Sequence, residues 1–445
     1  MGNSHCNCIS TSKKKRKEKT VKNAYIHSIA IEDEDSKMED DEEVTPMVEE
    51  TKDENMDCEE GNTPSVSHNR HFEQVRVNTI NFHIPHSYDM KSVEYLGGGS
   101  YGNVVRTKTK TRKGVEVEVA IKKMHQPFAS LNNARRVFRE IRLLQIMRHD
   151  NVIRAIDLYT PQTEFASFTD VYVVTEYAGN TLYEILKSQR ETGTTHLGDE
   201  HIRFILYQLL RALKYIHSAN VMHRDLKPSN LSVTSECDLT VLDFGLARMV
   251  EKGTTGLSTY VMTRWYRAPE VIYWKIGSYD MQADVWSVGC IAAELMINTP
   301  LFPGEQQQAQ YEMITQLCGC PDAALLDKIE VSNNPKMREV IEKVSKNRPR
   351  VNFPLYFRRL NPDISDDAID FLDKVLVLDP QVRLTVEEAL QHPYVGQYYE
   401  PADEPTVTTP FPLDEEGVTS IDEWKTLIWR EIHAFKGDDN SPTFT

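Results

Sequence analysis

Long apolar runs are missing from this chain. No stretch approaches the roughly eighteen residues that read as a membrane-spanning helix, and no apolar core follows the first methionine as it would in a secretory leader. Cysteine is scarce. Cys6, Cys8, Cys58, Cys237, Cys290, Cys318 and Cys320 are odd in number and scattered, without the spacing of a metal site. A disulfide framework is therefore not expected, and reduced thiols in an intracellular protein are. Internal repeats are also absent. Positive charge is short, with 51 Lys/Arg against 67 Asp/Glu and a net charge of −16. The shortfall is uneven. Residues 1–31 carry seven Lys/Arg against Glu18, for +6, and residues 32–60 carry sixteen Asp/Glu against Lys37 and Lys52, for −14. The remainder, at −8, is mildly acidic, which argues against direct nucleic-acid binding.

Residues 1–75 have charge blocks, few aromatics and no sustained periodicity, so they are expected to be a disordered extension, with order beginning near Tyr88. Lys13-Lys14-Lys15-Arg16-Lys17 fits a nuclear-import signal, a basic patch for anionic membrane, or a solvated tail. Met1-Gly2 with Cys6 and Cys8 hints at acylation, but the myristoylation pattern wants Ser or Thr where Cys6 stands. Membrane contact is expected only if that terminus is acylated.

The body carries chemistry in a definite order. Val93-Glu94-Tyr95-Leu96 reads as a strand running into Gly97-Gly98-Gly99-Ser100-Tyr101-Gly102-Asn103-Val104. Glycines there let backbone N–H groups approach phosphates. A G-x-G-x-x-G alone also fits a dinucleotide loop. Here a second strand follows instead of a helix, which favours a β-hairpin lid with Val104 as its roof. Val117-Glu118-Val119-Ala120-Ile121-Lys122 alternates as a strand. Ala134 to Met147 is helical by period and carries Glu140, the natural counter-charge for Lys122. Val171 to Val174 is another strand, ending in Thr175-Glu176-Tyr177-Ala178-Gly179. Ile202 to His217 is apolar nearly all round and reads as a buried helix. Val221-Met222-His223-Arg224-Asp225-Leu226-Lys227-Pro228-Ser229-Asn230 follows, and then Asp243-Phe244-Gly245. Phosphoryl transfer needs a group to accept a hydroxyl proton and oxygen ligands for magnesium, and Asp225, Asn230 and Asp243 offer these. Ala283 to Gly289 begins another buried helix, and Pro303 to Pro349 reads as a helical insertion. Near the end, Ser420-Ile421-Asp422-Glu423 is a capping box. Ile421, Trp424, Leu427, Ile428 and Phe435 then form a stripe at helical spacing that should pack onto the body.

Together these residues resemble the eukaryotic protein kinases over about 89–395. More narrowly the chain resembles the mitogen-activated protein (MAP) kinases. That narrower likeness rests on Asp243-Phe244-Gly245-Leu246-Ala247-Arg248, Thr263-Arg264-Trp265-Tyr266-Arg267-Ala268-Pro269-Glu270, Asp284-Val285-Trp286-Ser287-Val288-Gly289-Cys290-Ile291 and the insertion after Leu301-Phe302-Pro303-Gly304. Thr175 and Ile421-Asp422-Glu423-Trp424-Lys425 look most like the stress-activated branch, similar to the yeast high-osmolarity glycerol kinase and its animal relatives. The resemblance implies an α+β bilobal fold, with a β-rich N-lobe over about 89–178, a mostly helical C-lobe over about 179–395 and a C-terminal extension over 396–445. It implies ATP and Mg²⁺ as cofactors and Ser/Thr-Pro sites in proteins as acceptors.

Carried over position by position, Asp225 would receive the hydroxyl proton, Lys227 would approach the transferred phosphate, and Asn230 and Asp243 would bind Mg²⁺. Leu96, Gly97, Gly98, Gly99, Ser100, Tyr101, Gly102, Asn103, Val104 and Ala120 would surround ATP. Lys122, paired with Glu140, would grip its phosphates, while Thr175, Glu176 and Ala178 would form the hinge against adenine. Glu270 and Arg383 would tie the activation loop to the lobe. Ser258, Thr259 and Tyr260 would be the activation-loop phosphosites, modified by an upstream dual-specificity MAP kinase kinase. Glu400, Asp403 and Glu404 would form an acidic docking motif for activators, phosphatases and substrates such as transcription factors and downstream kinases. Cytoplasm and nucleus are the expected compartments. Three departures stand out. Ser258 occupies the position where the family has Thr, with Thr259 beside it. The loop from Asp243 to Glu270 does not match the usual stress-branch length. Ser232 and Thr181 replace an apolar and an acidic residue around the nucleotide. A scaffold that works by docking is the alternative function; a cyclin-dependent kinase is disfavoured by Tyr260 and the docking tail.

Overall fold

The computed structural model describes residues 70–99, 101–249, 264–274, 281–332, 336–409, 411–413, 415, 417–437, 441 and 442. Most of the extension expected to be disordered, together with Ser100 and the Ser258-Thr259-Tyr260 triplet, lies outside the described residues.

Order begins earlier than the expected start near Tyr88, inside the span read as extension. Strands β1 (Phe72–Val77) and β2 (Ile80–Pro85) form an antiparallel hairpin with Val77 opposite Ile80. Asn78 takes φ 55 in the turn, a left-handed conformation that Asn tolerates. The hairpin buries Phe82 and Ile84. Arg70 closes on the buried Asp157 carboxylate with both terminal nitrogens at 3.0 Å, and the Tyr88 hydroxyl donates to Asp157 Oδ2 at 2.9 Å. A buried carboxylate without such partners would cost several kcal/mol.

Behind the hairpin stands an antiparallel sheet of β3 (Glu94–Gly99), β4 (Gly102–Lys110), β5 (Glu116–Met124), β6 (Ala155–Tyr159) and β7 (Tyr172–Glu176), in the order β3-β4-β5-β7-β6. Strand alternation decides what each face does. Val119 and Ile121 join Phe82, Ile84, Tyr159 and Tyr172 in a small core. Ala120 and Lys122 therefore point to the opposite face. Helix α1 (Leu131–Ile146) opens on Ser130, whose side chain accepts from Asn133 N–H, and buries Glu140.

The second lobe is mostly helical. Its first elements are β8 (Asn180–Thr181), α2 (Leu182–Thr192), α3 (Asp199–Ser218), β9 (Val221–Met222), β10 (Leu231–Val233), β11 (Leu239–Val241) and β12 (Arg248–Met249). Helices α4 (Gln282–Ile297), α5 (Gln307–Cys318), α6 (Ala323–Ser332), α7 (Lys336–Ser345), α8 (Phe353–Leu360), α9 (Asp366–Val375) and α10 (Val386–Leu390) follow. As expected, α3 and α4 are central, and α4 is buried from Ala283 through Met296. The chain then returns to the sheet lobe. Helix α11 (Ile421–Ala434) lies on α1, with Trp424 5.3 Å from Phe138 ring to ring, while Arg139 holds Glu415 at 2.6 Å. Of the expected stripe Trp424 and Ile428 are buried and Ile421, Leu427 and Phe435 partly so, while Ile432, which the stripe did not include, is buried with them.

Candidate active site

Lys122 leaves the face of β5 that turns away from the small core. Its Nζ stands 2.7 Å from Glu140 Oε1 on α1 and 3.2 Å from Asp243 Oδ1. The expected Lys122–Glu140 pair is formed, and Asp243 joins it. Burial acts to lower the Lys122 pKa, but the Asp243 and Glu140 carboxylates override it and the pKa is raised, so Lys122 is a fixed cation. Burial acts to raise the Asp243 pKa. Lys122 and the Gly245 N–H, which donates to Asp243 Oδ1 at 3.1 Å, outweigh it and hold the carboxyl below its usual value. Gly245 leaves room for the carboxylates beside it: a Cβ there would come 3.1 Å from Glu140 Oε2 and 3.2 Å from Asp243 Oδ1, so one of them would have to shift by a few tenths of an ångström.

The loop carrying Asp225 follows β9. Arg224 takes φ 70 and Asp243 takes φ 55, left-handed conformations that cost a side-chain-bearing residue about 1–2 kcal/mol each. Asp284, in the first turn of α4, offsets part of that cost. It accepts the N–H groups of His223 and Arg224, each at 2.9 Å, and lies 2.9 Å from His217 Nε2. Burial acts to raise the Asp284 pKa, and His217 and the other donors bring it below its usual value. His223 Nδ1 accepts the Asp225 N–H at 3.3 Å and its Nε2 lies 2.9 Å from Leu242 O, which places the ring proton on Nε2. The ring meets buried Phe244 edge-on at 5.0 Å. Asp284 and His223 are positioning residues that the sequence reading quoted without giving them a role. Their signal was the backbone they hold, which no spacing rule displays.

Lys227 Nζ and Asn230 Nδ2 both lie 2.9 Å from Asp225 Oδ2, and Asn230 Nδ2 also donates to Asp225 O at 2.8 Å. Burial raises the Asp225 pKa, with Lys227 opposing. Both Asn230 amide hydrogens are thus engaged, which leaves Oδ1 as the group's acceptor. Asn230 Oδ1 and the Asp243 carboxylate are hard oxygens. Among the described residues no group of three or more His, Cys, Asp or Glu is placed to hold a metal. A cation that takes one or two protein oxygens and completes its shell with phosphates and water is Mg²⁺, and this donor set fits it.

The expected β-hairpin around the glycines is formed, and the strands read at Lys122 and Thr175 pair with each other. The β3–β4 hairpin brings Gly99 opposite Gly102, so Leu96, Gly97, Gly98 and Val104 stand on one ribbon. Arg136 of α1 lies over the Tyr101 ring at 5.1 Å, and Asn103 Oδ1 accepts the Tyr95 hydroxyl at 3.1 Å. Ala120 faces Thr175 across β5 and β7, and Glu176 and Ala178 continue into the hinge. Thr181, which stands where the family often has an acidic residue, has a structural role of its own. It caps α2, accepting the Glu184 N–H at 3.3 Å while Glu184 Oε2 accepts the Thr181 N–H at 2.7 Å. Ser232, buried on β10, lies with Oγ 2.8 Å from Ala178 O and 3.2 Å from Asn180 O, so its one proton ties the hinge to the second lobe. Ser232→Ala is expected to lower stability by about 1 kcal/mol, the net worth of one such bond. An unchanged urea midpoint would remove that tie.

Glu270 and Arg383 form the expected pair, bidentate at 2.8 and 3.1 Å and almost wholly buried. The acidic tail needs a correction. Glu400 and Asp403 are exposed, but Glu404 is buried, and its Oε2 holds Lys214 Nζ of α3 at 2.7 Å. A carboxylate so placed anchors the tail to α3 and is not available to a docking partner. Local composition could not separate it from its exposed neighbours.

A fixed cation between two carboxylates, beside a buried aspartate with hard oxygens at hand, serves phosphoryl transfer. The family model of the protein kinase domain matches residues 90–395. The chain is 54% identical over 381 residues to mitogen-activated protein kinase pmk-3 of Caenorhabditis elegans, covering 85% of this chain and 80% of that protein. It is 41% identical over 367 residues to mitogen-activated protein kinase 14 of Xenopus laevis, covering 82% and 94%. With mitogen-activated protein kinase p38a of Drosophila melanogaster it shares 42% over 377 residues, covering 84% and 96%. The chain belongs to the MAP kinase family, in its stress-activated branch, and is a serine/threonine protein kinase. The family uses ATP and Mg²⁺, acts on proteins and stands downstream of MAP kinase kinases.

Proposed function

We propose that the chain transfers the γ-phosphoryl group of ATP to serine or threonine followed by proline in protein substrates. The observation that carries this reading is the convergence of Lys122, Glu140 and Asp243 beside the Asp225–Lys227–Asn230 cluster. Asp225 orients the substrate hydroxyl and receives its proton. Lys122 holds the α/β-phosphates, and the glycines of the β3–β4 ribbon let backbone N–H groups come close. Leu96, Val104 and Ala120 enclose adenine, and Thr175, Glu176 and Ala178 meet its edge. Asn230 Oδ1 and Asp243 would hold Mg²⁺, which would supply charge screening for the phosphates. Lys227 stabilises charge on the group in transfer. Lys13 to Lys17 supports a nuclear as well as a cytoplasmic location.

Activation is proposed to require phosphate on Ser258 and Tyr260 from an upstream dual-specificity kinase, with Thr259 a lesser alternative. Each phosphate adds about −1.5 to −2 charges and suits arginine forks, which Arg224, Arg248, Arg264 and Arg267 can supply. The test is phosphate mapping of the activated full chain, paired with an assay on Ser-Pro and Ser-Ala peptides. Ser258→Ala and Tyr260→Phe should each leave activity near the unphosphorylated level, and the Ser-Ala peptide should be a poor acceptor. Equal use of both peptides would refute proline direction. Normal activation of Ser258→Ala alongside failure of Thr259→Ala would move the switch by one residue.

Exposed Glu400 and Asp403 are proposed to attract basic docking segments of activators, phosphatases and substrates such as transcription factors and downstream kinases. An exposed ion pair is worth about 0.2–1 kcal/mol. Neutralising both should therefore weaken peptide binding modestly, and more at low salt than at high salt. A loss independent of salt would count against this surface.

A further inference from the structure

The sheet presents to the nucleotide one charged side chain that the transfer itself does not use. Val105 of β4 joins the small core, so its neighbours Val104 and Arg106 take the other face. Arg106 pairs with Ala120 on β5, and Ala120 pairs with Thr175 on β7, which puts Arg106 on the face that carries Ala120 and Lys122. Its guanidinium reaches in three directions. Nη2 lies 2.6 Å from Glu94 Oε2 on β3, Nη1 lies 3.9 Å from Glu118 Oε2 on β5, and the central carbon stands over the Tyr177 ring, 4.9 Å from its centre. Just past the end of β7, the Tyr177 N–H donates to Glu118 O at 3.0 Å. The hinge residues that follow are held by the other lobe. Ser232 Oγ lies 2.8 Å from Ala178 O, and Gly179, at φ 92, packs so closely on β10 that a Cβ would come 2.9 Å from Val233 O. Tyr177 is thus the hinge residue whose side chain is gripped from the sheet.

We propose that Arg106 is a positioning residue for the nucleotide, a strap that joins β3 to Tyr177 in the hinge and keeps the site closed around its occupant. This rests on the reading of the site as an ATP site. Leu96 stands two residues beyond Glu94 on β3, and Glu176 and Ala178 flank Tyr177. The strap therefore links the roof over adenine to the segment that meets its edge. β3 is the outermost strand of its sheet, paired with β4 on one side. A nucleotide leaves when β3 swings away from the hinge, and that swing has to break the contact to Glu94 or the contact to Tyr177. Arginine suits the place, because its planar fork meets carboxylates at its edge and an aromatic ring on its face at the same time. The Arg106 side chain is 21% exposed and that of Glu94 38%, so salt weakens the strap without dissolving it. No bond to the nucleotide is required. The strap sets how long the nucleotide stays, not how fast the phosphoryl group moves.

The test follows release of a fluorescent ADP analogue with Mg²⁺ from the full chain by stopped flow, beside KM for ATP and kcat. Arg106→Met keeps the apolar stem and removes the charge. It is expected to raise the dissociation rate roughly three- to thirtyfold, the combined worth of an exposed ion pair and a cation–π contact, with the association rate unchanged. KM for ATP should rise with it and kcat should not fall. Glu94→Gln and Tyr177→Leu should each reproduce part of the rise and add little on top of Arg106→Met, because all three break one strap. Arg106→Lys should recover part of the loss. Release from the parent should quicken with salt, and release from Arg106→Met should not. A purely structural arginine would lower the urea midpoint of Arg106→Met and leave release unchanged, which overturns the proposal. Faster release in Arg106→Met with parent-like release in both Glu94→Gln and Tyr177→Leu would mean that Arg106 touches the nucleotide itself, and refutes the strap. A chain that binds no Mg²⁺-nucleotide refutes the ATP reading and takes the strap with it, whereas binding with unchanged release in every variant refutes the strap alone.

Discussion

Asp225→Asn is expected to leave nucleotide binding intact and to lower phosphoryl transfer by about 10²–10⁴-fold, the usual range for a positioned proton acceptor. The amide keeps the shape of the carboxylate but cannot take the proton. It also ends the attraction to Lys227, now 2.9 Å from Oδ2, and turns the Asn230 contact at 2.9 Å into a choice between amide orientations. The backbone around it should hold, because Asp284 fixes the His223 and Arg224 N–H groups and Asn230 also donates to the Asp225 carbonyl. Burial raises the Asp225 pKa, so in the parent enzyme the acidic limb of the kcat profile should lie above the pH at which a free aspartate titrates, about 3.9. In Asp225→Asn that limb should disappear from whatever activity is left. Turnover within a few-fold of the parent would remove Asp225 from the chemistry.

Arg383→Met is expected to cost about 3–5 kcal/mol of stability, the range for a buried pair broken on one side. Glu270 is 2% exposed, and its two oxygens accept from Nη1 and Nη2 of Arg383. Without the guanidinium the carboxylate stays buried with no cation opposite it. Arg383 also lies 5.2 Å over the Trp286 ring of α4 and donates to Val377 O, so the same side chain joins three parts of the lobe. Replacing both partners, with Glu270→Gln added, should recover part of the loss, since the unpaired charge is then gone. Urea midpoints of the parent, single and double variants give the measurement. A single variant with the parent's midpoint, or a double variant no better than the single, would sink the account.

Much of the site was legible because its residues are spaced along the chain by local rules. Asp225 and Asn230 share one short loop, Lys122 sits on a strand whose alternation is plain, and Glu140 sits on a helix whose period is plain. What escaped was set by the surroundings. Glu404 differs from Asp403 only in facing α3, and no pattern in an acidic run records which carboxylate turns inward. Ser232 was read only as a departure from an apolar residue beside the nucleotide; its hydroxyl meets the carbonyls of Ala178 and Asn180, which the sequence places more than fifty residues away. The β1–β2 hairpin was missed for a different reason. Val75, Val77, Ile80, Phe82 and Ile84 alternate across a short turn, but the charge blocks before them set the expectation for the whole span.

That hairpin also decides where a working fragment must start. The family match opens at residue 90, yet Asp157 on β6 is neutralised from residue 70. A recombinant piece trimmed to the matched span would keep every catalytic group. It would also carry a stranded carboxylate under its sheet and a bare apolar face where Phe82 and Ile84 belong. The folding unit therefore reaches back at least to Arg70, some twenty residues ahead of the boundary drawn by similarity.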